Sequence, residues 1–205
     1  MKPAHALEHA GVLALDALAR GLGWRRSREL GAALGGLLAG LGLRRRVAAS
    51  NLARAFPDRP AEEREVILAA HYGELGRVAL EYPHLAALAR APMGEVIAAV
   101  RGYEHMERAF SSGRGAIFMS GHFGNFELMA AWAARRLPLD LVVRPLANPG
   151  VDRWLENIRR GAGFGLIRAD HGIRAVYAAV RSGRGVAMVA DQDARRHGVF
   201  VPFLG

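Results

Sequence analysis

Two segments of the chain begin with the same four residues and continue in the same way. Each opens with Ser-Gly-Arg-Gly, at 112–115 and 182–185, and runs on into a short apolar stretch. The first stretch ends in "GHFGNFE" and the second in "DQD". A short apolar run that follows a glycine-rich turn is typical of a buried strand in a parallel sheet. The repeat therefore predicts two equivalent strands with polar residues at their carboxyl ends.

The chain after Val100 alternates between strand and helix patterns. The predicted strands are 116–120, 139–143, 165–168 and 186–190, and the predicted helices lie near 125–136, 150–161 and 171–182. This alternation predicts an α/β sheet with helices packed on it. The closing "GVFVPFLG" is predicted to be a further strand, and because the chain stops directly after it we expect a C-terminal truncation.

Residues 1–100 carry helical patterns throughout, including a helix predicted from about Ala61 to Glu81. Leucines near the start recur at three- and four-residue spacing, and arginine clusters follow at 25–28 and 44–46. Apolar helices with arginine clusters suit the surface of an anionic membrane. Two core helices with solvated basic ends explain the pattern equally well. No uninterrupted apolar run reaches the ~20 residues that a bilayer span requires.

The composition limits the classes of partner and site. A chain of 205 residues with 51% hydrophobic content can bury one main core, and the absence of cysteine excludes disulfides and thiolate metal sites. The net charge of +9 comes almost wholly from arginine, since Lys2 is the only lysine. Either an anionic partner or a codon bias explains this excess. A non-catalytic basic module, or nucleic-acid binding, ranks last because the aromatics are only 7% and do not interleave with the arginines.

His122 and Glu127 stand at the end of the first repeated strand, five positions apart. On a regular helix their side chains would point ~140° apart, so they can meet only if His122 lies in the turn before a helix and Glu127 in its first turn. Gly121 and Gly124 allow that turn, and Asn125 is a suitable N-cap. A carboxylate bonded to one imidazole nitrogen makes the other nitrogen a better base. This spacing predicts a general base.

Asp191 and Asp193 end the matching strand and compete with Glu127 as the carboxylate that orients His122, and the residues do not decide between them. The plainer alternative is a buried histidine beside an ordinary first-turn acid. Ser120 lacks the context of a strained nucleophile turn. A hydroxyl of the substrate is therefore expected to attack, without an acyl-enzyme.

Asp191 and Asp193 are also predicted to bind substrate, together with three further polar residues. Arg144 and Asn148 follow the strand at 139–143, and Arg159 lies near the end of the next helix. Arginine at such a cleft can hold a phosphate or stabilise an oxyanion.

Four ordered blocks of this sequence resemble a known family. The chain is similar to the lipid A biosynthesis acyltransferases, the lauroyl and myristoyl transferases of Gram-negative bacteria, within the glycerolipid acyltransferase superfamily. The blocks are "NLARAFPD" at 51–58, "GHFGNFE" at 121–127, "RPLANPGVD" at 144–152 and "DQDARRHGVFVPFLG" at 191–205.

The resemblance implies a mixed sheet flanked by helices, with residues 1–46 as a membrane-associating region on the cytoplasmic face of the inner membrane and 47–205 as the acyltransferase domain. It implies transfer of an acyl chain from acyl carrier protein to a hydroxyl of a lipid A precursor. His122 would be the base, Glu127 its partner and Arg159 a supporting residue, with no metal or organic cofactor beyond the acyl donor. An acyl-CoA-dependent relative that acts on another glycolipid, such as a phosphatidylinositol mannoside, stays open.

Overall fold

The computed structural model describes residues 2–192, which form a helical amino-terminal half and an α/β carboxyl-terminal half. The helices are α1 (Pro3–Gly40), α2 (Arg45–Ala55), α3 (Ala61–Glu81), α4 (Leu85–Leu88), α5 (Tyr103–Ser111), α6 (Phe126–Ala134), α7 (Pro149–Ala162) and α8 (Ile173–Arg181). The strands are β1 (Ala116–Ser120), β2 (Leu139–Val143), β3 (Gly165–Arg168) and β4 (Gly185–Val189). Short 3₁₀ turns lie at Tyr82–His84 and Ala169–His171.

Most predicted elements are present. The helix at 61–81 and the first three strands have the predicted bounds, and the fourth strand begins and ends one residue earlier than expected. The prediction that all of residues 1–100 are helical is wrong after Leu88, because the chain then runs through turns and irregular backbone as far as the start of α5. Pro92 and Gly94, which has a φ of 93°, interrupt helical hydrogen bonding there.

The four strands form one sheet in the order β1-β4-β2-β3. Every pairing among them is parallel, so the mixed sheet implied by the resemblance is not found in the part of the chain that the structure describes. The strand predicted in "GVFVPFLG" lies outside the described residues. β1 and β4 are neighbours in the register Ala116↔Gly185 to Ser120↔Val189, so the two Ser-Gly-Arg-Gly turns lie at the amino ends of neighbouring strands, one residue out of register.

The sheet is covered on both faces at β2 and β4, whereas on β1 Ile117 is 52% and Met119 66% exposed among the described residues. The alternation of side chains along β2 shows how both faces are covered. Leu139, Leu141 and Val143 pack against Trp132 and other side chains of α4, α6 and α7. The side chains that point to the other face of the sheet, such as Val142, belong to a second cluster, in which Val186 of β4 packs with Val176 of α8. Burial on both faces explains why β2 and β4 are continuous apolar runs rather than alternating patterns.

Helix α1 is broken at Gly23, whose φ of 75° and ψ of 161° are not helical. The buried hydroxyl of Ser27 compensates for the break, since its Oγ lies 2.9 Å from the carbonyl of Ala19 and 2.8 Å from that of Gly23. His84 Nε2 joins this cluster at 3.1 Å from both Ser27 Oγ and the Ala19 carbonyl. The arginine cluster at 25–28 therefore starts a separately directed segment of α1. Among residues 2–192, no helix combines the length and apolar character needed to cross a membrane.

Glycines let α1 and α3 approach closely. A Cβ atom at Gly31 or Gly35 would overlap backbone atoms of α3, and one at Gly76 would overlap the carbonyl of Gly31. A Cβ at Gly73, by contrast, would meet only the Arg77 side chain at 3.6 Å. The tight contact therefore depends on particular glycines and not on glycine content in general.

Gly76→Ala is expected to lower the free energy of unfolding by about 1–3 kcal/mol, because the added methyl must push two helix backbones apart. Gly73→Ala is the matched control on the same helix. It should leave stability unchanged or raise it by about 0.5–1 kcal/mol, since alanine is the better helix former. Urea unfolding of both variants tests this, and equal midpoints would contradict the packing argument.

Candidate active site

His122 lies just beyond the carboxyl end of β1, and Asp191 lies just beyond that of β4. The register pairs Ser120 with Val189, so each residue comes two positions after a paired residue on neighbouring strands. The Nδ1 atom of His122 is 2.7 Å from Asp191 Oδ1, and the backbone N–H of His122 donates to Oδ2 at 2.7 Å. A Cβ at Gly121 would stand 3.1 Å from Oδ2, so glycine gives the carboxylate room. Asp191 thus binds both the ring and the backbone of His122.

The tautomer of His122 follows from this contact. The two hydrogen bonds from His122, through its side chain and its backbone N–H, lower the pKa of Asp191 below its ordinary value of 3.8. An ionised carboxylate can only accept, so Nδ1 must carry the proton and Nε2 is left with a lone pair. The side chain of His122 is 40% exposed, and Gln192 Nε2 comes no nearer to its Nε2 than 3.5 Å. The basic nitrogen is therefore open to a substrate hydroxyl.

Glu127 lies in the first turn of α6, where the sequence predicted it, but it does not contact the imidazole. Its carboxylate is buried at 1% exposure and receives two hydrogen bonds from Arg159, at 3.0 Å from Nε and 2.6 Å from Nη2. Tyr82 donates a third, and burial followed by the nearby Glu127 charge raises the pKa of its phenol. The pairing of His122 with Glu127 that the resemblance implied is thus corrected: within residues 2–192, Asp191 occupies Nδ1 and Glu127 is committed to Arg159.

Arg159 is correspondingly buried, with a side chain only 12% exposed. Burial alone would lower the pKa of its guanidinium, but the hydrogen bonds and charge of Glu127 outweigh it and raise the pKa. The predicted direct contact of Arg159 with substrate is therefore not supported, because its guanidinium fork is held in the bidentate pair. Arg159 instead joins α7 to the start of α6 and so supports the loop that carries His122.

Asn125 is the predicted N-cap of α6, and its side chain accepts from the backbone N–H of Leu128 at 2.9 Å. The other end of its amide donates to Oε2 of Glu81 at 2.6 Å, while Arg28 binds the other oxygen of the same buried carboxylate. A chain of hydrogen bonds therefore ties α1 and α3 to the turn after His122. Such a connection restricts the position of that turn.

Three predicted site residues remain: Asn148, Arg144 and Asp193. Asn148 is buried, caps α7 through the N–H groups of Gly150 and Val151, and donates at 2.8 Å to both the His5 carbonyl and Glu8 of α1. The Asn148 amide is thus bound by protein groups, which indicates a structural role and not the predicted substrate contact.

Arg144 is exposed after β2, at the carboxyl end of the sheet where Asp191 also lies, and forms no ion pair with any residue from 2 to 192. Its role in binding an anion stays a prediction. Asp193 lies outside the described residues.

The sequence reasoning missed Glu81, Tyr82 and Arg28. Glu81 supports Asn125, Tyr82 supports Glu127, and Arg28 acts one step further away by binding Glu81. Each looks like an ordinary helix residue in the sequence. The one signal was the position of Glu81 and Tyr82 directly before Pro83, where α3 ends and the chain must turn. Nothing local distinguishes a buried glutamate there from a solvated one.

The fold and site define an α/β protein with an imidazole–carboxylate pair at the carboxyl edge of a parallel sheet. The chain belongs to the bacterial lipid A biosynthesis acyltransferase family, whose model matches residues 2–205. It is 26% identical over 160 residues to a phosphatidylinositol mannoside acyltransferase of Mycolicibacterium smegmatis, covering 76% of this chain and 52% of the relative. It is 28% identical over 162 residues to the lipid A biosynthesis palmitoleoyltransferase of Escherichia coli K12, covering 78% and 52%. The chain spans about half the length of these curated relatives.

Proposed function

We propose that this protein transfers a fatty acyl chain from acyl carrier protein to a hydroxyl of a lipid A precursor at the cytoplasmic face of the inner membrane. The family supports acyl transfer to a glycolipid. The observation that carries the chemistry is the His122–Asp191 pair, which leaves a basic nitrogen exposed where strand ends converge. In open α/β sheets this edge is the usual place for a ligand.

In the proposed reaction Nε2 of His122 takes the proton of the acceptor hydroxyl. The hydroxyl oxygen attacks the thioester carbonyl, the carbon–sulfur bond breaks, and the departing thiolate recovers the proton from the imidazolium. The products are an ester and a free thiol, and no acyl-enzyme forms. Asp191 stabilises the imidazolium while it exists. Because Arg159 is occupied and Asn125 already caps Leu128, the N–H groups of Phe126 and Glu127 at the start of α6 are the better candidates to stabilise the oxyanion.

Exposed apolar and basic residues support the proposed membrane contact. Leu41 is 72% exposed at the turn between α1 and α2, next to the arginines at 44–46. Nearby, α1, α2 and α3 line a largely apolar groove of about 760 Å³. Burying leucine in a bilayer interface and placing arginine near anionic lipid are both favourable.

We expect the protein to bind phosphatidylglycerol vesicles and to leave them as salt is raised, because salt screens the arginines. Leu41→Ser should weaken binding about tenfold or more, from the loss of one buried leucine. Ile173→Ser is the matched control, since Ile173 is 71% exposed at the start of α8. Co-sedimentation measures both, and an equal effect of the two substitutions would contradict this orientation.

A second candidate is acyl-CoA-dependent transfer to a phosphatidylinositol mannoside, because a relative with that acceptor in its name matches about as well as the lipid A enzyme. An assay that crosses two donors, acyl carrier protein thioester and acyl-CoA, with the two acceptors separates the candidates. Mass spectrometry should detect an acceptor that is heavier by one acyl chain. If no combination gives that product, acyl transfer by this chain is contradicted.

A further inference from the structure

A cavity of about 840 Å³ opens beside the loop that carries His122. Helix α1 contributes Trp24 and Glu29 to its wall, α3 contributes Arg77, and the loop contributes Phe123 and Gly124. The cavity is therefore bounded on one side by the residues that directly follow the proposed base. A group bound there would be presented to His122.

The charged groups that line this cavity are nearly balanced, with three arginines against four glutamates. Arg77 pairs with Glu74 at 2.6 Å, and Arg28 pairs with Glu81. The three arginines and four glutamates leave a net charge of −1, and Arg28 and Arg77 are already paired, so the lining does not favour a phosphate or other bare anion. Alternating donors and acceptors suit hydroxyl groups instead, because each hydroxyl both donates and accepts.

Two aromatic side chains and one free carboxylate add to this pattern. Phe123 is 92% exposed, and Trp24 is half-buried in the wall supplied by α1, where the guanidinium of Arg25 covers one face of its ring at 4.4 Å from the centroid. Exposed aromatic faces are suited to the C–H faces of a sugar ring, which are apolar while its edges are polar. Glu29 is exposed and has no ion-pair partner within residues 2–192, so its carboxylate is available to accept from hydroxyls.

We propose that this cavity binds the sugar headgroup of the acceptor, with Trp24 and Phe123 packed against ring faces and Glu29 accepting hydrogen bonds from ring hydroxyls. The inference rests on the proposed function, since it takes the acceptor to be a glycolipid. It assigns the neutral, hydroxyl-rich part of that lipid to the cavity. Any phosphate of the lipid would then bind exposed arginines outside the cavity, such as Arg144.

The test is saturation-transfer NMR on the whole chain with soluble probes that lack acyl chains. The probes are an unphosphorylated glucosamine disaccharide, α-mannobiose and inorganic phosphate. At least one disaccharide should bind, and phosphate should not displace it. Glu29→Gln and Trp24→Ala should each weaken binding about tenfold, on the scale of one lost charged hydrogen bond or aromatic contact. Glu62→Gln and Tyr177→Ala, which alter exposed residues elsewhere on α3 and α8, should not.

Failure of both disaccharides to bind, unchanged binding in the two cavity variants, or displacement by phosphate would each overturn the inference. Because the readout needs no turnover, it is separable from the proposed function. A chain that binds the disaccharide through Trp24 and Glu29 yet transfers no acyl group would contradict the proposed function alone. A chain that transfers acyl groups with unaltered acceptor KM in both cavity variants would overturn the sugar site alone.

Discussion

Replacing His122 by alanine is expected to lower the rate of acyl transfer by about 10²–10⁴-fold, the usual contribution of a positioned general base. The substitution removes Nε2, the nitrogen that carries the lone pair in the neutral ring bonded to Asp191, and leaves the fold intact because the ring is only partly buried. Single-turnover release of thiol, with product identified by mass spectrometry, measures the effect. His105→Ala on the exposed face of α5 is the control and should keep the parent rate. A near-normal rate in His122→Ala would remove the basis of the proposed mechanism.

Asp191→Asn separates the orienting carboxylate from the base in the same assay. The amide keeps a similar shape but lacks the charge that stabilises imidazolium, so kcat should fall by less than in His122→Ala, with little change in acceptor KM. The lowered pKa of Asp191 sets the sign of the pH effect. The stabilisation from its pairing with His122 is fully present above the ordinary carboxyl pKa. It is lost as the pH falls through the lowered pKa of Asp191, so it persists at neutral pH. An unchanged kcat in Asp191→Asn would show that Asp191 is not the residue that orients the His122 ring.

Arg159→Met is expected to lower the free energy of unfolding by about 3–5 kcal/mol, the typical cost of breaking a buried ion pair by removing one partner. The reason is that Glu127 would keep a charge at 1% exposure with only Tyr82 as a remaining donor. Thermal and urea unfolding measure the loss. Arg160→Met, at the neighbouring exposed position of α7, is the matched control and should change stability little.

The double variant Arg159→Met with Glu127→Gln tests the cause of that loss. Removing the negative charge along with its partner should recover part of the stability, because the penalty comes from an uncompensated charge and not from the missing contact. The stabilising role of the buried pair is contradicted if the single variant is as stable as the parent protein. It is also contradicted if the double variant is no more stable than the single variant.

The positions of the strands could be predicted from local pattern because each is a short apolar run between turn residues. Burial on both sides gives β2 and β4 a continuous apolar pattern, and the glycines at 113 and 183, with φ of 68° and 81°, mark the turns before β1 and β4. The Ser-Gly-Arg-Gly repeat predicted that His122 and Asp191 follow two equivalent strands. His122 comes seven residues after Gly115 and Asp191 six residues after Gly185, and the register, which pairs Ala116 with Gly185, offsets the difference and places both residues at the same height. That β1 and β4 are neighbours is a long-range fact, and no local pattern encodes it.

Residue types and their spacing thus determined where helices and strands lie, which turn holds the histidine, and that a carboxylate would be near it. The tertiary structure alone decided which carboxylate. Glu127 is five residues from His122 along the chain but points into the core, where Arg159 and Tyr82 neutralise and satisfy it. Asp191 is 69 residues away and reaches the imidazole because parallel pairing brings the two strand ends together. Burial and hydrogen bonding are properties of the packed chain, so proximity in sequence could not determine which acid serves the base.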